Sequence, residues 1–435
     1  MSNQLTVDQQ VTSAASAYLR IRNADSDLKN RALSAIAEAL LAHKARIMEV
    51  NQAEVNRAKE QQIAQVLVKR LQLSDAKFDE ILRGLNDLVS LEDPVGKTMS
   101  ALELDDGFIL YQVQCPIGLI GVIFESRPDA LVQIVSLCLK SGNAVILKGG
   151  SEAHDTNQIL ATIICDAIEA VDPLFGGAVQ LIATREDVAA LLKRDRDIQL
   201  IIPRGSNAFV QYIQNNTKIP VLGHADGICH TYVDADAEIQ KAVDICYDAK
   251  LQYPAVCNAM ETLLVDAAIA EKFLPVMAEK YLKAGVTLRG DERTLSILPD
   301  IETATDDDWA TEYNDLVLSI KIIDGVQPAI AHINQYGSHH TDAIVTENAQ
   351  QAEQFLAQVD SATVIQNAST RFADGFRFGK GAEVGISTNK IHARGPVGLD
   401  GLMIYQYRLV GSGNVVATYT GTDARRFTHR RLDVE

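Results

Sequence analysis

The residues best suited to chemistry surround Cys257, in the string LQYPAVCNAMETLLV. A predicted helix and a break at Pro254 precede it and a predicted strand follows, so the thiol falls on a loop where its sulfur can approach a carbonyl carbon. The other five cysteines, Cys115, Cys138, Cys165, Cys229 and Cys246, form no C-x-x-C pair and no metal-ligand spacing. They read as reduced thiols, and composition alone makes any free cysteine more often a core residue than a nucleophile. Two polar strings, Ser338-His339-His340-Thr341-Asp342 and Ser387-Thr388-Asn389-Lys390, lie beside predicted strands. Adjacent histidines on an extended chain point to opposite faces, so this pair is not a metal site by itself. Arg127, between Ser126 and Pro128, carries a planar fork that suits a phosphate and equally a surface ion pair. The G-x-G-x-x-G fingerprint of dinucleotide binding is missing: the nearest string, from Gly379 to Gly385, has the wrong spacing and follows no clear strand.

Positioning such residues takes a scaffold, and 435 residues with 47% hydrophobic and 22% charged side chains supply one of ordinary globular composition. At about 150 residues per domain the length implies two or three domains, and it excludes disorder and fibres. The formal net charge of -17, with no basic run, excludes nucleic acid as a partner. An anionic substrate therefore needs local positive charge against that field. The start, MSNQLTVDQQVTSAASAYLR, lacks the pattern of a secretory signal. No apolar stretch nears the roughly 20 residues of a membrane span, so a cytoplasmic protein with no membrane partner is expected.

The first hundred residues read as helical, with Leu33, Ile36, Leu40 and Ile47 at core spacing and Ser26-Asp27 at a helix N-cap. A hairpin follows, turning at Asp105-Asp106-Gly107. From LIGVIF onward, short β-branched runs alternate with helices beginning near Pro128, Glu152 and Thr184, the mark of parallel βαβ units. The pattern restarts at CHTYVD and runs through ETLLVD, LVLSIKIID, DAIVTE and ATVIQ, a second α/β domain. The acidic stretch PDIETATDDDWATEYND reads as a surface loop. Alternation around Gly411-Ser412-Gly413 suggests a second hairpin, which would share an intersubunit sheet with the first.

The segments PIGLIGVIFESRPDA, AVILKGGSEA, IPRGSNAFV and IPVLGHADG and the Cys257 loop follow one another as in the aldehyde dehydrogenase superfamily, which the chain resembles over most of its length. VQPAIAHINQYGSHHTDAIV and GFRFGKGAEVGISTNKIHARGPVGLDGL are similar to the signatures of its proline-biosynthesis branch, the γ-glutamyl phosphate reductases. The resemblance implies an aldehyde-dehydrogenase-like α/β fold of two Rossmann-like parallel-sheet domains plus an oligomerisation hairpin region. The expected division is a cofactor-binding domain over 1–104 and 118–226, a catalytic domain over 227–403, oligomerisation strands over 105–117 and 404–420, and a tail over 421–435. It further implies NADPH-dependent reduction of L-glutamate 5-phosphate to L-glutamate 5-semialdehyde with release of phosphate, a homo-oligomer, and association with glutamate 5-kinase.

On that resemblance Cys257 is the nucleophile that forms a thioester. Asn258 and the Cys257 backbone N–H are candidate oxyanion donors by proximity, with Asn258 equally readable as a turn former. Lys148 ends a strand where the superfamily's lysine reaches the adenosine ribose, and Gly149 and Gly150 let the backbone approach. Many members of the branch carry Lys where this chain has Ser151, which removes one contact expected to the 2′-phosphate; Glu152 would repel that phosphate if it pointed inward. Gly205-Ser206 matches a turn at a helix start suited to pyrophosphate, and Glu312 matches the carboxylate that holds the nicotinamide ribose. Ser126, Arg127, His224, His340, Asp342, Lys390 and Arg394 are the expected substrate contacts. The superfamily's hydrolytic Glu is replaced here by Val221, leaving no carboxylate to activate water at that position. Three other readings stay open: a non-phosphorylating aldehyde dehydrogenase, a Cys-dependent hydrolase or acyltransferase using His224 or His340 as base, and a non-catalytic binding module.

Overall fold

The computed structural model describes residues 5–125, 127–223 and 226–434. The first parallel sheet has the strand order Val179–Ile182, Ala144–Lys148, Leu119–Phe124, Leu200–Arg204. Every residue of Leu119–Phe124 is buried, as a central strand covered on both faces must be. Its coverings include the helix Pro128–Lys140, buried along nearly its whole length, and the amino-terminal helices Val7–Ile21 and Ser26–Ala42. Leu33, Ile36, Leu40 and Ile47 are all core. Ile47 lies in the following helix, Lys44–Glu60, and the cap of the helix carrying Leu33, Ile36 and Leu40 lies one residue earlier than the sequence suggests: the Asp25 side chain accepts from the Leu28 N–H at 2.7 Å, and Ser26 and Asp27 fall in the first turn.

The second parallel sheet runs Glu302–Thr303, Thr287–Gly290, Val317–Ile323, Met260–Asp266, Cys229–Val233, Thr341–Val345, Thr363–Gln366. From Cys229–Val233 the chain lays strands to one side, then crosses back to place Thr341–Val345 on the other. The acidic stretch is more ordered than a surface loop. Glu302–Thr303 forms the sheet edge, and Asp308 is fastened by Arg289 and Tyr313 at 2.6 and 2.7 Å. Trp309 is buried with its ring edge-on to His332.

A third sheet is antiparallel, in the order Met403–Val410, Phe108–Pro116, Thr98–Asp105, Arg430–Leu432. The first hairpin turns where expected, with Gly107 at φ 66°. The strand before it begins at Thr98, so residues 98–104 pair in this sheet, although the sequence division assigns them to the cofactor-binding domain. The expected second hairpin does not form. After Met403–Val410 the chain crosses the sheet, because Asp105 accepts from both the Tyr419 hydroxyl and Arg425, at 2.9 and 2.6 Å. The tail then supplies the opposite edge, Arg430–Leu432. Tyr405, Tyr407 and Leu409 are left exposed. Ala382, Val384, Val397, Leu399 and Leu402 join the core of the first sheet, although their sequence positions fall within the expected catalytic domain.

The two parallel sheets meet end to end. The carboxyl ends of the first, at Lys148 and Arg204, face the amino ends of the second, where Cys229 and Met260 begin their strands; Cys257 lies within the electrostatic reach of Arg204 across the gap. For the first sheet this is the usual placement of an α/β ligand site.

Candidate active site in the seam between the sheets

The Cys257 loop runs from the helix Ile239–Leu251 to the strand Met260–Asp266. It is braced from three directions. The Asn258 side-chain amide donates to the Ala373 carbonyl at 2.9 Å, the Cys229 thiol donates to the Cys257 carbonyl at 3.2 Å, and the Gly227 backbone presses on Cys257 itself. Asn258 is buried, so its bond to Ala373 makes it a brace for the loop in place of the oxyanion donor that adjacency to Cys257 suggests. Cys257 is partly exposed. Burial raises the pKa of Cys115, Cys138, Cys165, Cys229 and Cys246, to about 12 for Cys138 and Cys165, and Cys138, Cys229 and Cys246 are fully buried.

Two arginines lie within electrostatic reach of Cys257. Arg204 ends the strand Leu200–Arg204, and burial lowers its pKa. Arg371 is buried in the loop after Thr363–Gln366, its Nε donating to Gln252 at 2.9 Å. Arg127 is half-exposed, 3.7 Å from Asp129 and electrostatically coupled to Arg204 and Glu383. Burial pushes the Glu383 carboxyl above the ordinary range, although it accepts from the Gly375 N–H at 2.9 Å. Arg204, Arg371 and Glu383 escape the sequence reading. The one signal is a cation closing the apolar strand IQLIIPR; Arg371 and Glu383 arrive from distant loops.

Several expected substrate contacts are engaged elsewhere. Asp342 is fully buried and takes two bonds from His230, at 2.8 Å from its N–H and 2.9 Å from Nδ1, and another from the Ser361 hydroxyl. That makes it a buried structural anchor. His340 is buried beside Cys229, with Nδ1 2.9 Å from the Thr341 hydroxyl. Lys390 and Arg394 both grip Asp360, at 2.6 and 3.2 Å, and Lys390 holds that carboxyl below its ordinary pKa. Their charges are already compensated. Ser126 and His224 lie outside the described residues. Val221 bridges to Ile201, and its carbonyl accepts from Asn389 at 2.8 Å, so the backbone at the hydrolytic-base position is sewn into the wall.

Of the residues expected to hold a cofactor, all but Glu312 gather at the carboxyl end of the first sheet. Burial lowers the Lys148 pKa. A Cβ on Gly149 would come within 3.0 Å of Asn157 and 3.4 Å of the Phe124 ring, so the bare backbone there is required. Beyond it, Ser151 opens a short helical turn and is exposed, while the Glu152 carboxyl folds back over Gly150. At the other turn, Ser206 N–H donates to Glu125 at 3.2 Å, and a Cβ on Gly205 would meet that carboxyl at 2.8 Å. A carboxylate thus holds the amino end of the helix Asn207–Asn215, where the sequence reading places pyrophosphate.

Glu312 is seated by its neighbours: Tyr313 bonds Asp308, and the Asn314 N–H donates to Glu261 at 3.1 Å. Glu261 forms a fully buried ion pair with Lys250 at 2.5 Å. Burial raises Glu261 to about 7 and lowers Lys250, both shifts reflecting the cost of charge in this interior. Lys250 ends the helix before the Cys257 loop and Glu261 opens the strand after it, so the pair ties the nucleophile loop to the Glu312 segment. Lys250→Met should lower unfolding stability by about 3–5 kcal/mol by stranding Glu261. Urea denaturation checks this, and Lys250→Met/Glu261→Gln should recover most of the loss.

A fold of two facing parallel sheets with a cysteine loop in their seam defines a class, and the family model of the aldehyde dehydrogenases matches residues 1–304. The chain belongs to the aldehyde dehydrogenase family, oxidoreductases acting on an aldehyde group. Its branch is that of the γ-glutamyl phosphate reductases. The γ-glutamyl phosphate reductase of Methanosarcina mazei is 56% identical over 438 residues, covering 99% of this chain and 98% of that protein. The crystal structure of γ-glutamyl phosphate reductase from Thermotoga maritima superposes with a TM-score of 0.92 at 40% identity, over 94% of this chain and 100% of that one. An acetylating aldehyde dehydrogenase from Geobacillus thermoglucosidasius, 16% identical with a TM-score of 0.65 over 94% of this chain and 97% of that one, shares the fold.

Proposed function

We propose that the chain reduces L-glutamate 5-phosphate to L-glutamate 5-semialdehyde, releasing phosphate, with Cys257 as nucleophile and NADPH as cofactor. The observation that carries this reading is the partly exposed Cys257 with two arginines within electrostatic reach. As a thiolate, Cys257 attacks the acyl carbon; the bond from that carbon to the phosphate oxygen breaks, its electron pair leaves with phosphate, and a thioester remains. Arginines within electrostatic reach of the sulfur attract the incoming anion. The braces from Asn258, Cys229 and Gly227 hold the sulfur in place, and the Cys257 backbone N–H is the candidate donor to the carbonyl oxygen. With Val221 in place of a carboxylate, the thioester is spared activated water there.

A nicotinamide cofactor is the family's redox partner, and when bound it supplies the hydride that turns the thioester into aldehyde. Lys148, Gly149, Ser151, Gly205, Ser206 and Glu312 would hold it. The preference for the 2′-phosphorylated form is part of the proposal, since no cation among the described residues 149–153 offers itself to that phosphate. We also infer a homo-oligomer joined through the exposed face of Met403–Val410, a cytoplasmic location, and proximity to the kinase that makes the labile substrate. Among the described residues no helix is long and apolar enough to cross a membrane.

The test runs the reaction in reverse, supplying glutamate 5-semialdehyde and NADP⁺ with and without phosphate and following nicotinamide absorbance. Phosphate-dependent turnover is expected. Turnover without phosphate would assign a non-phosphorylating dehydrogenase instead.

A further inference from the structure

We propose that Arg204 is the residue that grips the phosphate of the acyl phosphate, setting this site's choice of leaving group. The inference rests on the acyl-phosphate reading above and names which part of the substrate meets which part of the chain. Its starting point is a defect in the unliganded fold. The Arg204 Nη1 is sealed from solvent and has no hydrogen-bond partner, and no ion pair engages the side chain among the described residues. That N–H has lost its hydration and gained no partner in exchange, although the side chain as a whole is only partly buried. The charges around it are Arg127, Glu383, Asp129 and Cys257. Glu383 is a weak counter-ion, because its own burial favours the protonated form. The backbone leaves Arg204 little room to turn away: its carbonyl accepts from the Glu125 N–H at 3.1 Å, and its side chain runs about 4 Å from where a Cβ on Gly385 would lie.

An anion is the missing partner. The substrate carries two, and position discriminates between them. The phosphate is bonded directly to the carbon that Cys257 attacks, whereas the α-carboxylate lies at the far end of the carbon chain. A cation facing the nucleophile therefore meets the phosphate. Its planar fork matches two phosphate oxygens, and half-exposed Arg127 stands within electrostatic reach to complete the grip. Phosphate departs with the electron pair of the broken bond, so a fixed cation at that oxygen lowers the barrier as well as the dissociation constant.

Arg204→Met tests this, with Arg204→Met/Glu383→Gln beside it so that no buried carboxyl is stranded. In the reverse reaction the phosphate KM should rise about 30-fold or more, while the semialdehyde KM moves less than about 3-fold. Thermal denaturation supplies a readout of opposite sign. Without phosphate the double variant should melt at or above the wild-type temperature, because a sealed and unsatisfied N–H is gone, and inorganic phosphate should no longer raise its midpoint. An unchanged phosphate KM would overturn the assignment, as would a lowered midpoint in the double variant with both KM values rising together, the signature of a structural residue. If the wild type itself turns over without phosphate, the acyl-phosphate reading fails and the Arg204 assignment falls with it; wild-type phosphate dependence with indifferent variants sinks Arg204 alone.

Discussion

Cys257→Ala should lower phosphate-dependent turnover by about four orders of magnitude or more while leaving NADPH binding measurable by fluorescence. The effect is large because no neighbouring group can substitute for the sulfur. Cys229 is the nearest thiol, yet it is fully buried, its S–H is committed to the Cys257 carbonyl, and burial holds its pKa high. The same substitution at Cys138 or Cys246 trims a core side chain far from the seam, and it should change stability without touching the reaction. Cofactor binding should survive in Cys257→Ala because the residues proposed to hold it, Lys148, Gly149 and Gly205, belong to the opposite sheet. Turnover retained within tenfold of wild type would remove Cys257 from the mechanism.

Gly227→Ala should be nearly as damaging, although it adds one methyl group. That methyl would stand 2.5 Å from the Cys257 Cα and 2.7 Å from its carbonyl carbon. Both are backbone atoms, so no side-chain rotation relieves the clash, and the nucleophile loop itself must shift by about an ångström. Displacements of that size cost about 100-fold in reactions that depend on alignment. The expected result is a kcat lowered by about that factor, with the NADPH dissociation constant little changed and a modest loss of thermal stability. The rate of Cys257 alkylation by iodoacetamide reports the displacement independently of turnover. Wild-type kcat in this variant would show that the loop tolerates movement and that the contact carries no catalytic weight.

Much of the fold was legible because it is written in local periodicity. The stripe through Leu33, Ile36 and Leu40, the apolar strands LIGVIF and AVIL, and the turn at Gly107 each announce themselves within a few residues. The antiparallel sheet was half legible for the converse reason. Its last strand, Arg430–Leu432, is fixed by Asp105, more than three hundred residues away in the chain, and no window around Gly411 contains that information. The site divides along the same line. Cys257 stands out by its motif, and Lys148 and Gly205 by their places at strand ends. Asp342 and Lys390 look equally suited to substrate until the fold supplies His230 and Asp360 as their partners. Arg204 presents the opposite case, since its importance is a partner that the fold withholds.

The contribution of residues 382–402 to the first core has a consequence for how the protein is made. Chains emerge from the ribosome amino end first, at about 5–20 residues per second. The first sheet completes its strands by Arg204, yet Val384, Val397, Leu399 and Leu402 must still arrive to cover it. The cofactor half therefore waits, with part of its apolar surface bare, until nearly the whole chain has been synthesised. Nascent chains stopped near residue 226 should be protease-sensitive and bound by chaperones, and the two halves of the seam should acquire their final packing together.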